Sequence, residues 1–529
     1  MTPRALRLRK LSPPRERPIL GSTGMKLDDL LAGAGAADSP ANGNMEVSSV
    51  VYNSCEAEPG CLFVAIRGET TDGNRFVFDA LDRGASAVVS ELPPPPGPAW
   101  QSLLALPPPP LPPGVSWVRV ADARKALAVI AANFYGRPAD QLELIAVTGT
   151  NGKTTTCFLI DSMLAAAGRH GGLFGTIAYR TPLQTRPAAT TTPESLELQR
   201  FLSEVVRAGG THAVLEASSH ALAQDRLWGC RFAAAIFTNL TRDHLDYHQT
   251  FDSYFAAKRR LFEGTGKSPP AAGIINIDDP YGAQLAGLAA RTITYGLASG
   301  AQVTTNHSAL TSSGLEFFAA TPAGPVEVRS RLVGRINVYN LLAAIAAGVA
   351  LGISRAEIEA GIQRLESVPG RFERVDLGQP FLVVVDYAHT DDALRNLLLT
   401  AREFHAGGRI ITLFGCGGNR DRSKRPLMGE VAGRLSDVVV LSSDNPRGED
   451  PLCIINDALV GLQRTSATAL VEPDRERAIE LAIDQARSGD IVLLAGKGHE
   501  TVQVLKEGAV PFDDRETARR ALRARGFEG

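Results

Sequence analysis

Cysteine is scarce in this chain and scattered where it occurs. The six cysteines stand at positions 55, 61, 157, 230, 416 and 453, and no CxxC pair is present. A chain of 529 residues is too large to need a disulfide scaffold, so a reducing cytoplasm is the simplest setting. Long hydrophobic runs are missing too. None reaches the roughly 18 residues a membrane helix needs, so no membrane insertion is expected. The longest candidate, Leu341 to Ile353, is rich in Ala and Gly and reads as a buried helix. Neither sign of charge is in excess, since 55 Lys+Arg against 57 Asp+Glu leaves −2. A general nucleic-acid or membrane-surface binder would carry a basic excess, so no nucleic-acid partner is expected, while a local anion site stays open. The first 25 residues lack the apolar stretch of a secretory signal. They hold Arg4, Arg7, Arg9, Lys10, Arg15 and Arg17 against the single acid Glu16. A disordered basic arm over 1–24, or translation starting at Met25, is the expected reading; an organelle transit peptide is the alternative.

What is present is the composition of an ordinary globular protein, 44% hydrophobic and 21% charged, long enough for three or four domains. Residues 26–92 mix short strand-like runs with helical stretches. Residues 93–114 then hold eleven of the 33 prolines, a density that excludes helix interiors and sheet centres and predicts a surface insertion loop. A helix follows near Ala123 to Tyr135. From Leu142 apolar strand runs alternate with longer helical patterns (144–147, 213–215, 233–237, 273–277), up to a helix over 337–351. That alternation predicts a mostly parallel sheet with crossover helices. Val368-Pro369-Gly370 looks like a hinge, beyond which the alternation restarts (381–385, 409–414, 438–441, 491–495). The expected fold class is α/β in three domains: an N-terminal domain over 25–138 containing the 93–114 insertion, a central domain over 139–367 with a mostly parallel sheet, and a Rossmann-like domain over 368–529.

The most specific motif is a phosphate loop. The strand Leu144-Ile145-Ala146-Val147 runs into Thr148-Gly149-Thr150-Asn151-Gly152-Lys153-Thr154-Thr155 and then a helix. A Gly-rich turn in that context points backbone N–H groups at an anion, and the helix dipole adds to the effect. Gly149, Thr150, Asn151, Gly152, Lys153, Thr154 and Thr155 are therefore the candidate ATP-binding residues. Lys153 would reach the β- and γ-phosphates, and the Thr154 hydroxyl would ligate Mg²⁺. A phosphate loop alone fits kinases, GTPases, motors and ligases equally. Two neighbouring motifs follow strands, where open α/β sheets place ligands: Glu216-Ala217-Ser218-Ser219-His220 and Thr238-Asn239-Leu240-Thr241-Arg242-Asp243-His244. Glu216 and His244 are thus candidates for one metal site beside the phosphates. Lys258 falls on an amphipathic helix, where a solvated lysine is the plain reading.

In their order along the chain, these motifs resemble the Mur ligases, which build the peptide stem of the cell-wall precursor. The resemblance is carried by TGTNGKTTT, EASSH, FTNLTRDHLDYH, the helix with Lys258, GRINVYN (334–340), VPGRFERV (368–375) and VDYAHTDDAL (385–394). It extends from Met25 to the C-terminus apart from the proline-rich stretch. GCGGNRDRSKRPLMG (415–429), SDNPRGEDP (443–451) and AGKGHE (495–500) are similar to the branch that adds meso-diaminopimelate. An L-lysine-adding ligase, a folylpolyglutamate-type ligase and an inactive nucleotide-binding homologue are the alternatives.

The resemblance implies an N-terminal domain that holds a UDP end, a central ATPase domain and a C-terminal domain that carries the amino acid. It implies ATP-dependent amide formation through an acyl phosphate, between UDP-MurNAc-L-Ala-D-Glu and meso-diaminopimelate, in a cytoplasmic monomer serving peptidoglycan synthesis, cell shape and cell division. Lys153, Glu216, His244 and Lys258 would be catalytic. Thr154, Glu216, His244 and Lys258 would serve Mg²⁺, with Lys258 as a carbamate derived from CO₂. Asn337 and Asp386 would contact adenine and ribose, and Arg371 the phosphates; a helix N-cap is the plain reading of Asn337. His389 is a weaker candidate. Ser54, Thr191, Thr192, Ser218, Gln224 and Arg226 would bind the nucleotide-sugar dipeptide, as would the 68–73 turn. Two positions depart from the pattern: Cys55 stands where the family has Arg, and Thr190 where it often has Asn.

For diaminopimelate the implied residues are Arg420, Asp444, Asn445, Pro446, Arg447, Gly496 and Glu500. Meso-diaminopimelate is lysine with an extra distal carboxylate, and the Arg447 guanidinium can grip a carboxylate bidentately. Glu500 and the Gly496 backbone would hold the distal ammonium. Lysine would leave Arg447 buried without its anion, a penalty of roughly 2–5 kcal/mol.

Overall fold

The computed structural model describes residues 24–528, except 39, 41, 69, 70, 105–107, 312, 313, 405 and 406. The expected basic arm, apart from Gly24, lies outside the described residues, as do two positions of the 68–73 turn. The chain forms two compact units, one ending at Phe134 and one beginning at Tyr135.

In the first unit the strands Val50–Val51, Leu62–Val64, Ala87–Ser90 and Ser116–Arg119 lie side by side in chain order, all parallel. Leu62, Phe63 and Val64 are all buried, as expected of parallel strands covered on both faces. The described residues of the proline-rich stretch are mostly exposed or half-buried, but they are not loop throughout. They contain a one-turn helix, Pro98–Gln101, with Pro98 in the first turn, where a missing N–H leaves no bond unmade. Trp100 is fully buried, edge-on to Phe78 at 6.0 Å and Trp117 at 5.7 Å, and its indole N–H donates to the Pro93 carbonyl at 2.9 Å. One aromatic anchor thus ties the insertion into the core.

The second unit holds an eight-stranded sheet in the order 185–187, 178–180, 171–174, 212–216, 143–148, 232–237, 272–276, 292–295. Its six strands from 171–174 onward are parallel, and the first two join by antiparallel pairing. Glu143–Thr148 sits between His212–Glu216 and Phe232–Phe237. The phosphate loop, Glu216 and the loop running to His244 therefore emerge side by side at the carboxyl ends of the strands. Helices Lys153–Ala166 and Arg335–Ala350 share one core with a face of this sheet.

A three-stranded antiparallel sheet, Ser308–Thr311, Gly314–Ala319 and Val326–Ser330, follows. It was not anticipated, although Val326 and Val328 alternate with Glu327 and Arg329, the strand period. Beyond Gly370 a six-stranded sheet runs 373–374, 382–386, 491–495, 410–414, 438–441, 468–471, parallel except for its first strand. The last of these strands in sequence lies between the second and third. That order gathers the 386–389, 415–420, 443–448 and 496–500 segments at one end of the sheet.

Candidate functional site

Helix Lys153–Ala166 begins at Gly152 with no side-chain cap, and its first turn carries no acid. The leading N–H groups are left for an anion, and the dipole favours one. Both loop glycines are forced. Gly149 has φ +143° and a Cβ there would meet the Thr238 hydroxyl at 1.9 Å; Gly152 has φ +88° and a Cβ would meet the Asn340 amide oxygen at 2.3 Å. The loop backbone can fold this tightly only without side chains.

The loop opens into a cleft of about 220 Å³ lined by Thr150, Asn151, Gly152, Lys153, Thr154, Thr155, Glu216, His244, Asn337, Arg371, Asp386 and His389, among others. Lys153 folds back so that its Nζ donates to the carbonyls of Gly149 at 2.9 Å and Thr150 at 2.8 Å. Lys258 is buried, not solvated, and donates to the same Gly149 carbonyl at 2.8 Å. Burial drives the Lys258 amine well below its usual range, and the Lys153 charge pushes the same way against Asp243. A lowered pKa favours the neutral amine, the form that acts as a nucleophile.

Thr154 Oγ1 donates to Glu216 Oε1 at 2.9 Å, and the other Glu216 oxygen accepts from the Thr176 hydroxyl at 3.0 Å. Arg371 stacks on Tyr387 at 4.8 Å and donates to Thr154 Oγ1 at 3.1 Å. His244 sits in the left-handed region at φ +53°, its ring two-fifths exposed to the cleft and 4.7 Å from His220. Desolvation pushes its imidazole down to about 3, against the pull of Asp243, whose carboxylate lies 3.3 Å from Nε2. Among the described residues, no cluster of three or more His, Cys, Asp and Glu could hold a metal ion by itself. The Thr154–Glu216 oxygen pair and the neutral His244 suit a hard cation whose remaining ligands come from elsewhere.

Asn337 is not a helix N-cap. That place belongs to Gly334, and Asn337 donates to the Val333 carbonyl at 2.7 Å while accepting from Asn340 at 2.9 Å. Asp386 accepts N–H bonds from Phe372 at 2.7 Å and Ala388 at 2.8 Å, which fixes its carboxylate at the cleft wall. His389 bonds the Tyr387 carbonyl at 2.8 Å and lies against that ring. Two residues missed from the sequence stand at or behind the wall. Asp392, inside VDYAHTDDAL, accepts from Asn151 Nδ2 at 2.7 Å and from the Thr241 hydroxyl at 3.1 Å. Asn396, one turn further along helix Asp391–Phe404, faces the same cleft.

Beside Glu216 lies a second group of candidates. The Thr176 and Thr191 hydroxyls are 3.2 Å apart, and Thr192 Oγ1 donates to the Glu216 carbonyl at 2.7 Å. The Ser218 backbone N–H donates to Thr192 Oγ1 at 3.0 Å. The Arg226 guanidinium is engaged by Gln224 Oε1 at 2.7 Å, the Thr192 carbonyl at 2.9 Å and Glu194 at 3.4 Å. Ser54 lies in the first unit, buried in a turn over 54–56 beside the exposed Cys55, and its hydroxyl bonds Asp79.

The candidates after the last strands form a third group. Gly418 N–H donates to the Asn445 carbonyl at 2.9 Å, and Gly448 N–H to Asn419 Oδ1 at 2.9 Å, lacing the two loops together. Arg447, half-buried at φ +52°, donates to the Gly418 carbonyl at 3.0 Å. Asn445 Nδ2 donates to Glu500 at 2.8 Å, while Asp444 is buried next to Gly496 and Arg420 is exposed at the rim. Pro446 is buried between the loops.

A phosphate loop at the carboxyl end of a parallel sheet, opening into a cleft walled by Glu216, His244, Asn337, Arg371 and Asp386, marks a nucleotide-dependent enzyme. Comparison with known proteins identifies its kind. Residues 46–135 match the Mur ligase family catalytic domain, 147–348 the Mur ligase middle domain and 370–498 the Mur ligase glutamate ligase domain. The UDP-N-acetylmuramoyl-L-alanyl-D-glutamate–2,6-diaminopimelate ligase of Solibacter usitatus (strain Ellin6076) is 51% identical over 484 residues, covering 91% of this chain and 94% of that one. The ligase of the same name from Geobacter metallireducens is 44% identical over 525 residues, 96% of this chain and all of that one. A solved structure of a ligase with that name superposes with a TM-score of 0.63 at 31% identity, covering 95% of this chain and 99% of its own. The chain belongs to the Mur ligase family.

Proposed function

We propose that this protein is an ADP-forming ligase that joins meso-diaminopimelate to UDP-MurNAc-L-Ala-D-Glu during peptidoglycan synthesis. One observation carries the reading: Lys153, Glu216 and His244 line a single cleft, with Thr191 on its wall and Thr192 hydrogen-bonded to the Glu216 backbone. A carboxylate and a nucleotide can meet there, and the Arg447–Glu500 group lies at the carboxyl end of the neighbouring sheet.

The reaction has two steps. An oxygen of the D-Glu side-chain carboxylate attacks the γ-phosphorus of ATP, the bond from that phosphorus to the bridging oxygen breaks, and ADP leaves. The amine of diaminopimelate then attacks the acyl carbon, the carbon–oxygen bond to phosphate breaks, and the amine gives up a proton. Two anions must approach in the first step. The uncapped N–H groups at Lys153–Thr155 and the Lys153 ammonium, swung from its own loop carbonyls onto the phosphates, oppose that repulsion. Arg371, already on Thr154, adds a guanidinium at the same place. Mg²⁺, when bound at Thr154, Glu216 and His244, supplies charge neutralisation between phosphate and carboxylate. Lys258 in neutral form would add to CO₂, releasing a proton and forming a carbamate, which would put an anion in place of the amine near His244. Asn337 and Asp386 hold adenine and ribose. Thr191, Thr192, Ser218, Gln224 and Arg226 position the muramoyl dipeptide, and the first unit, with Ser54 and the 68–73 turn, takes the UDP end. Arg447 and Arg420 receive the distal carboxylate of diaminopimelate, and Glu500 its ammonium. The domains fall at 25–138, 139–367 and 368–529, and the enzyme works as a cytoplasmic monomer serving cell shape and division. No described helix is long and apolar enough to cross a membrane.

The test is release of phosphate from ATP by the purified protein with Mg²⁺ and UDP-MurNAc-L-Ala-D-Glu. Release that depends on meso-diaminopimelate supports the reading. Equal turnover with L-lysine removes the specificity, and turnover with folate and glutamate instead removes the substrate class.

A further inference from the structure

The group of residues assigned to the far end of the amino acid contains a cation that none of these roles uses. Lys497 is fully buried. Its Nζ donates to Asn445 Oδ1 at 3.1 Å and to Glu500 Oε2 at 2.9 Å. Asn445 Nδ2 donates to that same Glu500 oxygen at 2.8 Å, and Asn445 Oδ1 also takes the Val504 N–H at 2.9 Å. One Glu500 oxygen is thus saturated from within the protein. Among the described residues none engages the other, Oε1, which is left for a ligand.

The charges around this carboxylate do not balance. Arg420, Arg447 and Lys497 are cations, and Asp444 and Glu500 are anions, so three against two leaves one positive charge. Arg475 adds nothing to the count, because Asp514 holds it in a buried two-point pair at 2.8 and 2.7 Å. A ligand whose far end is both ammonium and carboxylate brings no net charge and sets its carboxylate against the guanidinium of Arg447. A ligand ending in a lone ammonium must approach a carboxylate already matched by the Lys497 ammonium 2.9 Å away.

Resting on the reading of the site as a diaminopimelate ligase, we propose that Lys497 is a specificity-determining residue acting through Glu500. It cancels the carboxylate a lone terminal ammonium would otherwise use, and so makes the distal carboxylate of the amino acid obligatory. Exclusion of lysine then has two parts, an Arg447 left without its anion and a Glu500 left without spare charge.

The experiment is phosphate release by the full chain with ATP, Mg²⁺ and UDP-MurNAc-L-Ala-D-Glu, comparing meso-diaminopimelate with L-lysine. Lys497→Met keeps the length of the stem and removes the charge. The expected result is a rise of about tenfold or more in the kcat/KM ratio of lysine to diaminopimelate, carried by KM for the amino acid, with KM for ATP within about twofold of the unaltered protein. Adding Glu500→Gln to Lys497→Met should return the ratio toward its starting value. A ratio unmoved in a variant with an intact melting transition overturns the proposal, and so does a raised ratio that Glu500→Gln leaves in place. If Lys497→Met does not fold, Lys497→Gln carries the same expectation. An unaltered protein that uses neither amino acid sinks the ligase reading itself, whereas diaminopimelate use with an unmoved ratio sinks only the role of Lys497.

Discussion

Lys258 shows how far a single residue can depart from its appearance in sequence. On an amphipathic helix it reads as solvated, yet it is buried under the phosphate loop, sharing the Gly149 carbonyl with Lys153. Burial drives the Lys258 amine well below its usual range, and the neighbouring Lys153 charge pushes it the same way. That favours the neutral state, in which an amine captures CO₂. Lys258→Ala is therefore expected to lower kcat by about a thousandfold or more, with partial recovery on adding a small carboxylate to the assay. Full turnover by Lys258→Ala in phosphate release would take the carbamate out of the mechanism. Residue types at fixed spacing made Lys153, Thr154 and Glu216 legible, because a phosphate loop is a local geometry written in consecutive residues. The engagement of the Arg226 fork was not legible, since Glu194 and Gln224 reach it only once the chain folds.

At the scale of elements, the strand runs were readable because buried parallel strands are short, uninterrupted and apolar, as in Val438–Leu441 and Ile491–Ala495. The three-stranded sheet over 308–330 was passed over because its period-two pattern is short and lies between stronger helical signals. Trp100 was hidden by the prolines around it. The element that most repays attention is helix Asp391–Phe404, whose Asp392 holds both Asn151 of the phosphate loop and Thr241. The same helix presents Ala393, Asn396, Leu397 and Thr400 to the cleft. A carboxylate accepting two such donors is worth about 1.5–3 kcal/mol per hydrogen bond. Asp392→Ala should raise KM for ATP by about tenfold or more and leave KM for the amino acid near its starting value. Equal rises in both would mean that Asp392 only stabilises the fold.

For the whole molecule, the order of strands does more for function than any one of them. Placing 143–148 between 212–216 and 232–237, and 491–495 between 382–386 and 410–414, brings segments far apart in sequence together at the carboxyl ends of neighbouring strands. That topology was not in the sequence pattern, which gives elements and not their neighbours. Burial also leaves a mark on stability. His212, on the strand beside the phosphate-loop strand, is pushed down to about 4 by desolvation and by the charges of Arg169, Arg180 and His170. Its folded value lies below its unfolded one, so its contribution is complete above about pH 6.5 and lost as pH falls toward 4. The loss amounts to about 3 kcal/mol. Denaturant unfolding at stepped pH should show a shallower acid decline in His212→Gln, and parallel declines would contradict the assignment. In the proposed reaction the peptide carboxylate takes the γ-phosphoryl group of ATP and gives one of its oxygens to the released phosphate. With heavy oxygen placed in the D-Glu side-chain carboxylate, mass spectrometry of the released phosphate should find one labelled oxygen per phosphate. Unlabelled phosphate, or label emerging in AMP, would contradict it.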